Sequence, residues 1–265
     1  MKKGMSILMG AVALLAAGVL SAQEVKTFNK AADWGKSPAV TDGEDCLKVS
    51  RKAMLIGSKF KIDPDKTYTV KYSVRAQDIQ GKDYSWCLGG FEIFGKNGKP
   101  ISCINVNVVS GTMTEVVADA AKGSQTLTVK DGSKFKKGGY LYLFSGAKED
   151  LSDLPNYNVI AIGIKDVQKK DDGWEITLSG KLSKDLKAGT MIREHSAGGY
   201  LYTAGARNVF DKWGVMQGKI RGYSKSGWAG NKWPVGAESA RFIILVNWSN
   251  KKLETQFKDV TMTIE

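Results

Sequence analysis

Short segments that alternate apolar and polar residues run through most of this 265-residue chain. In KTYTVKYSV, lysine, threonine and serine fall on one face, and the other face carries Tyr68, Val70, Tyr72 and Val74. A two-residue period of this kind is that of a strand with one buried face. WEITL, RFIILVNW and VTMTI are further strand candidates. We therefore expect a chain built mainly from β-strands.

Glycine turns separate these strand candidates. The chain contains 30 glycines and only five prolines. Apolar runs flank Asn97-Gly98, a pair that adopts positive φ at low cost, which predicts a β-hairpin. No segment after residue 22 keeps a helical period. Many short strands between glycine turns are typical of a sandwich or a barrel.

The middle of the chain differs from its flanks. Residues 115–202 combine short strand candidates with tight Asp-Gly and Gly-Gly turns, a pattern that predicts a small β-barrel-like domain. The flanks, residues 23–114 and 203–265, are each too short for a large sandwich. The predicted fold is therefore all-β: a discontinuous jelly-roll β-sandwich made of both flanks, with the small domain inserted between them.

The first 22 residues have the order of a secretory signal peptide. Lys2 and Lys3 precede an apolar run from about Ser6 to Leu20, and small residues follow up to Ala22. The run is shorter than the roughly 20 residues that a membrane-spanning helix needs. The sequence therefore predicts a secreted or periplasmic protein, with no membrane insertion after processing.

The formal charge is +12. Such a charge favours anionic polysaccharide, nucleic acid or an acidic surface as a partner. The lysines are nevertheless scattered, which favours a solvated basic surface. Export and the lack of a recognition motif argue against nucleic acid.

Three cysteines allow at most one internal disulfide. We place Cys103 in a strand that returns from the strand of Phe91, but this arrangement does not put Cys87 opposite it. The pairing of Cys46, Cys87 and Cys103 stays open, and three buried free thiols are an alternative.

Patterns typical of enzymes are absent from the sequence. The single histidine, His195, has no GxSxG elbow or HExxH motif to accompany it, and we interpret it as structural. The acidic run from Glu149 to Asp153 lies in a proline-flanked loop, where we expect a solvated turn instead of a glycosidase carboxylate pair. No catalytic residue is assigned, and metal ligands are unknown.

Tryptophans in a glycine-rich stretch are the strongest indication of a binding site. An indole ring on a loop can stack on the apolar face of a sugar while nearby polar groups bind its hydroxyls. The predicted carbohydrate-binding group consists of Trp228, Trp233, Arg221, Tyr223 and Asn231. The alternative is that these tryptophans fold back as lids over the sandwich edge.

Other aromatic residues carry less weight. Trp86 with Tyr84 forms a second candidate for carbohydrate binding. Trp174 and Trp248 occupy strand positions, and we expect them in the core.

The end of the chain carries Trp213 before a strand, the apolar strand Ala240–Leu245, and the segment Phe257–Val260. With KTYTVKYSVRA and GGFEIFGKNGKPIS upstream, it resembles jelly-roll carbohydrate-binding modules of the cellulase- and xylanase-associated type. The resemblance covers about 150 residues, excludes the middle segment and implies polysaccharide binding. It also allows a structural calcium ion near Asp259, although the usual acidic partner near the amino terminus is not evident; no other cofactor is expected.

These observations predict a secreted, non-catalytic carbohydrate-binding protein whose partner is a polysaccharide or other glycan. One alternative is an extracellular or cell-surface scaffold that binds proteins. Another is a polysaccharide-degrading enzyme with an unrecognised site.

The predicted signal peptide can be tested directly. Because the small residues before Gln23 form the cleavage site, mass spectrometry of the exported protein should find an amino terminus at or within a few residues of Gln23. A mature pool that retains Met1 would contradict the prediction.

Overall fold

The computed structural model describes residues 23–35, 37–77, 85–196, 198–209, 211–248 and 253–265. The predicted signal peptide and Tyr84 lie outside the described residues. In the described part, helical structure is limited to three short 3-10 turns: Ala31–Trp34, Lys96–Gly98 and Cys103–Asn105. None of these helical turns has the length or apolar character required to cross a membrane.

Seventeen strands run through the described residues. The first seven are β1 (Glu24–Thr27), β2 (Val40–Asp42), β3 (Leu47–Val49), β4 (Ala53–Lys61), β5 (Tyr68–Gln77), β6 (Ser85–Phe94) and β7 (Pro100–Ile101). The middle six are β8 (Thr114–Glu115), β9 (Thr126–Val129), β10 (Gly138–Ser145), β11 (Val159–Lys170), β12 (Gly173–Leu178) and β13 (Met191–Ser196). The last four are β14 (Leu201–Val209), β15 (Gly214–Ile220), β16 (Ser239–Val246) and β17 (Glu254–Ile264).

Two antiparallel sheets form the sandwich. One has the order β15-β5-β17-β3-β2, with β1 also on β17; the other has the order β14-β6-β16-β4, with β7 on β6. Strands β3 to β6 and β14 to β17 thus contribute four to each sheet, in the order of a jelly roll. The prediction of an all-β jelly-roll sandwich is confirmed.

The sandwich core forms as the alternation of β5 predicts. Tyr68, Val70, Tyr72 and Val74 are all buried, and they belong to one apolar cluster drawn from both sheets. Trp233 joins this cluster from the connection between β15 and β16, and its side chain is fully buried. Its ring lies 5.2 Å from the ring of Tyr68 in one sheet and 5.0 Å from that of Phe91 in the other. Trp233 therefore links the two sheets.

The middle segment forms a sheet of its own, with the order β8-β13-β10-β11-β12-β9. It encloses a second apolar cluster that contains Leu143, Ile160, Ile176 and Ile192. The two ends of the sheet meet at the bridge between Val116 and Val129, beside which Val117 donates to the Thr128 carbonyl at 3.0 Å and Lys130 to the Glu115 carbonyl at 2.9 Å. No continuous ladder of described residues joins them, so the sheet is curled and is not a closed barrel. The prediction of a small barrel-like β structure in the middle segment is therefore confirmed as a curled antiparallel sheet, without closure into a complete barrel.

The division into separate domains stays a prediction. Strand β14 begins at Leu201, inside the range 115–202 assigned to the insert, yet it pairs with β6 of the sandwich.

The predicted hairpin is present but short. Asn97 and Gly98 both adopt positive φ, at 59° and 74°, and β7 pairs with the end of β6. The chain then leaves the sheet, and Cys103 lies in a 3-10 turn instead of the predicted strand. Asn105 accounts for this difference, because its Oδ1 accepts the backbone N–H of Ser102 at 3.0 Å and caps the turn.

All three cysteines are free thiols. Cys87 and Cys103 are buried, and burial raises the pKa of each thiol to about 12. Cys46 is partly exposed.

Glu194 of β13 is a buried carboxyl group without a hydrogen-bond partner among the described residues. Its side chain is 0% exposed, and this lack of a partner applies to both carboxylate oxygens. Burial raises the pKa of Glu194 to about 7. The backbone N–H and the ammonium group of Lys136 offset part of this rise, although neither forms a hydrogen bond of normal geometry with the carboxylate. The curled sheet therefore favours the protonated form of this carboxyl group.

Trp233 should behave as a core residue. We expect Trp233→Ala to lower the free energy of unfolding by about 3–5 kcal/mol, because it removes a large ring from between two sheets. Chemical denaturation followed by circular dichroism measures this change. A loss below about 1 kcal/mol would contradict the core assignment.

Glu194→Gln should stabilise the protein at pH 8 by about 1–3 kcal/mol, because it removes an ionised group that has no buried partner. As pH rises from the usual value near 4.5 to about 7, the unfolded chain loses this proton before the folded one does, and native stability falls. Denaturation of both proteins from pH 4 to pH 8 should therefore show the gain vanishing at the acidic end. A gain that does not vary with pH would contradict the assignment.

Candidate functional site

The connection after β15 folds into a compact loop, residues 221–233, which we call the Trp228 loop. The backbone N–H of Trp233 donates to the Gly222 carbonyl at 2.8 Å, and that of Ser224 donates to the Trp233 carbonyl at 2.8 Å. The backbone N–H of Arg221 reaches the Asn231 carbonyl at 3.4 Å. These bonds hold the two legs of the loop side by side, so that residues distant in sequence become neighbours.

The Trp228 loop ends at Trp233, whose side chain lies in the core, and this changes the role of one predicted site residue. Because the ring of Trp233 is fully buried, it has no face to offer a sugar, and the stacking role predicted for it is wrong. Tyr223 is 37% exposed, and its hydroxyl donates to the Ala237 carbonyl at 2.8 Å. Tyr223 does not line the groove described next.

An open groove of about 580 Å³ lies between the end of β15 and the Trp228 loop. Three predicted residues, Arg221, Trp228 and Asn231, line it together with Lys219 and Lys232. Trp228 is 54% exposed. The structure therefore brings together three of the five residues that the sequence pattern grouped.

The exposed ring of Trp228 differs from those of Trp213 and Trp248, each of which has a cation over its face. A lysine ammonium lies 3.6 Å from the ring centroid of Trp248, and the guanidinium of Arg75 lies 4.7 Å from that of Trp213. Within the described ranges, neither a cation nor a second ring covers Trp228. A planar apolar surface thus stays available to a ligand.

The remaining aromatic predictions have mixed outcomes. Trp86 lies in β6 and is half-buried, and its predicted partner Tyr84 is outside the described residues. Trp174 packs against the core of the curled sheet, as expected. Trp248 is 42% exposed, just beyond the end of β16, so its predicted core position is wrong.

Asn107 ties the Trp228 loop to the curled sheet. Its buried Oδ1 accepts the backbone N–H of Ala229 at 3.1 Å, while its carbonyl accepts the N–H of Ser196 in β13 at 2.9 Å. The next residue, Val108, donates its N–H to the Gly227 carbonyl at 2.7 Å. Sequence reasoning missed this anchor, because Asn107 occurs in an apolar run that looks like a strand.

A buried polar network lies beside this anchor. Arg193 forms an ion pair with Asp153 at 2.8 Å, so the predicted solvated loop is in part buried. Arg193 Nε donates to His195 Nε2 at 3.2 Å, which leaves Nδ1 of His195 as the protonated nitrogen that donates to the Ile104 carbonyl at 2.8 Å. Burial, with a smaller contribution from Arg193, lowers the pKa of His195 to about 4. The imidazole is neutral and inaccessible, which fits a structural role.

The predicted calcium position lies at a pocket that contains three carboxylates. Asp259 lines this pocket with Glu44, Asp45 and Asn29. The Asn29 carboxamide oxygen already accepts the N–H of Val260 at 2.8 Å. Across the described part of the chain, no three His, Cys, Asp or Glu side chains group closely enough to hold a metal ion. Calcium binding stays a prediction.

Comparison of the chain with protein-family models, curated proteins and solved structures found no match. The resemblance to carbohydrate-binding modules therefore depends on its residues alone and stays a prediction.

Proposed function

We propose that this protein is a secreted or periplasmic, non-catalytic carbohydrate-binding protein that binds a polysaccharide in the groove beside the Trp228 loop. The observation that carries the proposal is the exposed ring of Trp228, which no cation or ring covers among the described residues. An indole surface in a groove matches the apolar C–H face of a sugar ring.

Polar groups beside the ring support the same ligand. Asn231 offers both a donor and an acceptor to sugar hydroxyls, and the guanidinium of Arg221 offers several donors. Ser224 Oγ donates to the Trp228 carbonyl at 2.5 Å. This bond stiffens the turn that displays the ring, so less entropy is lost when a sugar binds.

The composition of the groove supports binding without hydrolysis. A glycosidase of the usual kind needs two carboxyl groups beside the scissile bond. The residues that line this groove include no Asp, Glu or His. Nothing specific favours the protein-scaffold or polysaccharide-degrading alternatives over this function.

Replacement of Trp228 tests the proposal. Against an array of plant and microbial polysaccharides, we expect Trp228→Ala to weaken binding by about 1–3 kcal/mol, because the stacking surface is lost. Affinity electrophoresis and isothermal titration calorimetry measure this change. The free energy of unfolding should change by less than about 0.5 kcal/mol, since the exposed ring leaves no core cavity.

Trp248→Ala is the matched control, because Trp248 is similarly exposed but its ring is covered by Lys52. It should leave polysaccharide binding unchanged. Equal losses in both variants, or no loss in either, would refute the groove as the binding site, and absence of binding to every glycan would refute the function.

A further inference from the structure

The groove beside Trp228 is distinguished by its charge. Lys219, Arg221 and Lys232 line it, and no carboxylate does. Four other grooves in the described structure each contain at least one carboxylate: that of Asp33, that of Asp171, Asp172 and Glu175, that of Glu149, and that of Glu44, Asp45 and Asp259. Because these grooves on the same basic chain contain carboxylates, the net positive charge alone does not explain why the groove beside Trp228 contains none.

Other lysines and arginines of the chain form ion pairs, such as that between Arg241 and Glu92. The three cations of the groove form none with the described residues. Lys219 is an exposed residue near the end of edge strand β15, and Arg221 follows two residues later. The backbone contact between Arg221 and Asn231 places Lys232 beside them. Unpaired cations held near one another attract an anion more strongly than scattered charges do.

The fold holds this arrangement in place. Gly218, next to Lys219, lies so close to β14 that a Cβ atom would stand 1.9 Å from the Thr203 carbonyl oxygen. On the other side of the groove, Asn107 fixes Ala229, the residue that follows Trp228. The strand that carries Lys219 and the loop that carries Trp228 are thus both anchored by close backbone contacts.

From this geometry we propose that the ligand is an acidic polysaccharide, in which sugar rings alternate with carboxylate or sulfate groups; this inference rests on the proposed carbohydrate-binding function. A sugar ring stacks on Trp228 while its anionic substituent binds the three cations. Arginine pairs well with a carboxylate or sulfate because its guanidinium donates two parallel hydrogen bonds. Asn231 binds the remaining hydroxyls.

The test compares glycans that share a backbone and differ in charge. The full mature protein is titrated with oligogalacturonates and with their methyl esters, and with sulfated and unsulfated cello-oligosaccharides. At low salt we expect an acidic member of either pair to bind at least about tenfold more tightly than its neutral counterpart. This advantage should shrink as salt rises from about 0.05 M to about 0.3 M, because ions screen exposed charges. The pair with the larger advantage tells whether the group is a carboxylate or a sulfate.

Charge-neutralising variants distinguish a preference for acidic glycans from carbohydrate binding in general. Lys219→Gln/Lys232→Gln should lower affinity for the acidic glycan about tenfold and lower affinity for the neutral one much less, because only the acidic glycan has an anionic group for these cations to bind. Trp228→Ala should lower both. The control Lys181→Gln/Lys184→Gln removes the same charge from exposed positions in the connection between β12 and β13 and should change neither affinity.

The outcomes that overturn the inference are distinct. Equal binding of acidic and neutral glycans, with a loss in Trp228→Ala, refutes an acidic ligand and leaves carbohydrate binding standing. If none of the four glycans and no glycan of the wider array binds, both the acidic ligand and the carbohydrate-binding function are refuted. Equally tight binding of a single-stranded oligonucleotide, insensitive to Trp228→Ala, would show a general polyanion surface and refute the acidic polysaccharide.

Discussion

The packing of Trp233 between the two sheets is the contact on which the candidate site depends. Its ring contacts Tyr68 from one sheet and Phe91 from the other, so the end of the Trp228 loop cannot shift without opening the core. Backbone bonds from Trp233 to Gly222 and Ser224 then fix the opposite leg of the loop. The exposed ring of Trp228 therefore stands on a rigid base, and most of the ordering entropy that a binding loop loses is already lost in the folded protein.

Local patterns in the sequence identified much of the fold. The alternation from Tyr68 to Val74 predicts the face of β5 that is buried in the structure. The pair Asn97-Gly98 predicts a turn, because both residues adopt positive φ at low cost, as they do in the structure. The sequence did not distinguish Trp228 from Trp233, because both lie in a glycine-rich stretch without a period. Trp233 is buried by its contacts with Tyr68 of β5 and Phe91 of β6, which are remote in sequence, and no local pattern predicts those contacts.

Local sequence patterns also did not predict the buried polar contacts of Asn107 and Arg193 beside the candidate site. Asn107 joins Ser196 to Ala229, and Arg193 joins Asp153 to His195, across long stretches of chain. In the sequence, Asn107 looks like an interruption of a strand and Asp153 like a solvated acid. Only the packing of the curled sheet against the connection from β7 gives these side chains buried partners, which a buried polar group requires.

The burial of two cysteines has a consequence for the redox chemistry of the chain. Only the thiolate reacts readily with oxidants and disulfides, and burial, which raises the pKa of Cys87 and Cys103 to about 12, keeps both in the thiol form at neutral pH. In an oxidising compartment, Cys87 and Cys103 would persist as thiols for as long as the sandwich stays folded. Cys46, partly exposed in the turn between β2 and β3, then stands alone as the position where two copies of the chain can become covalently linked.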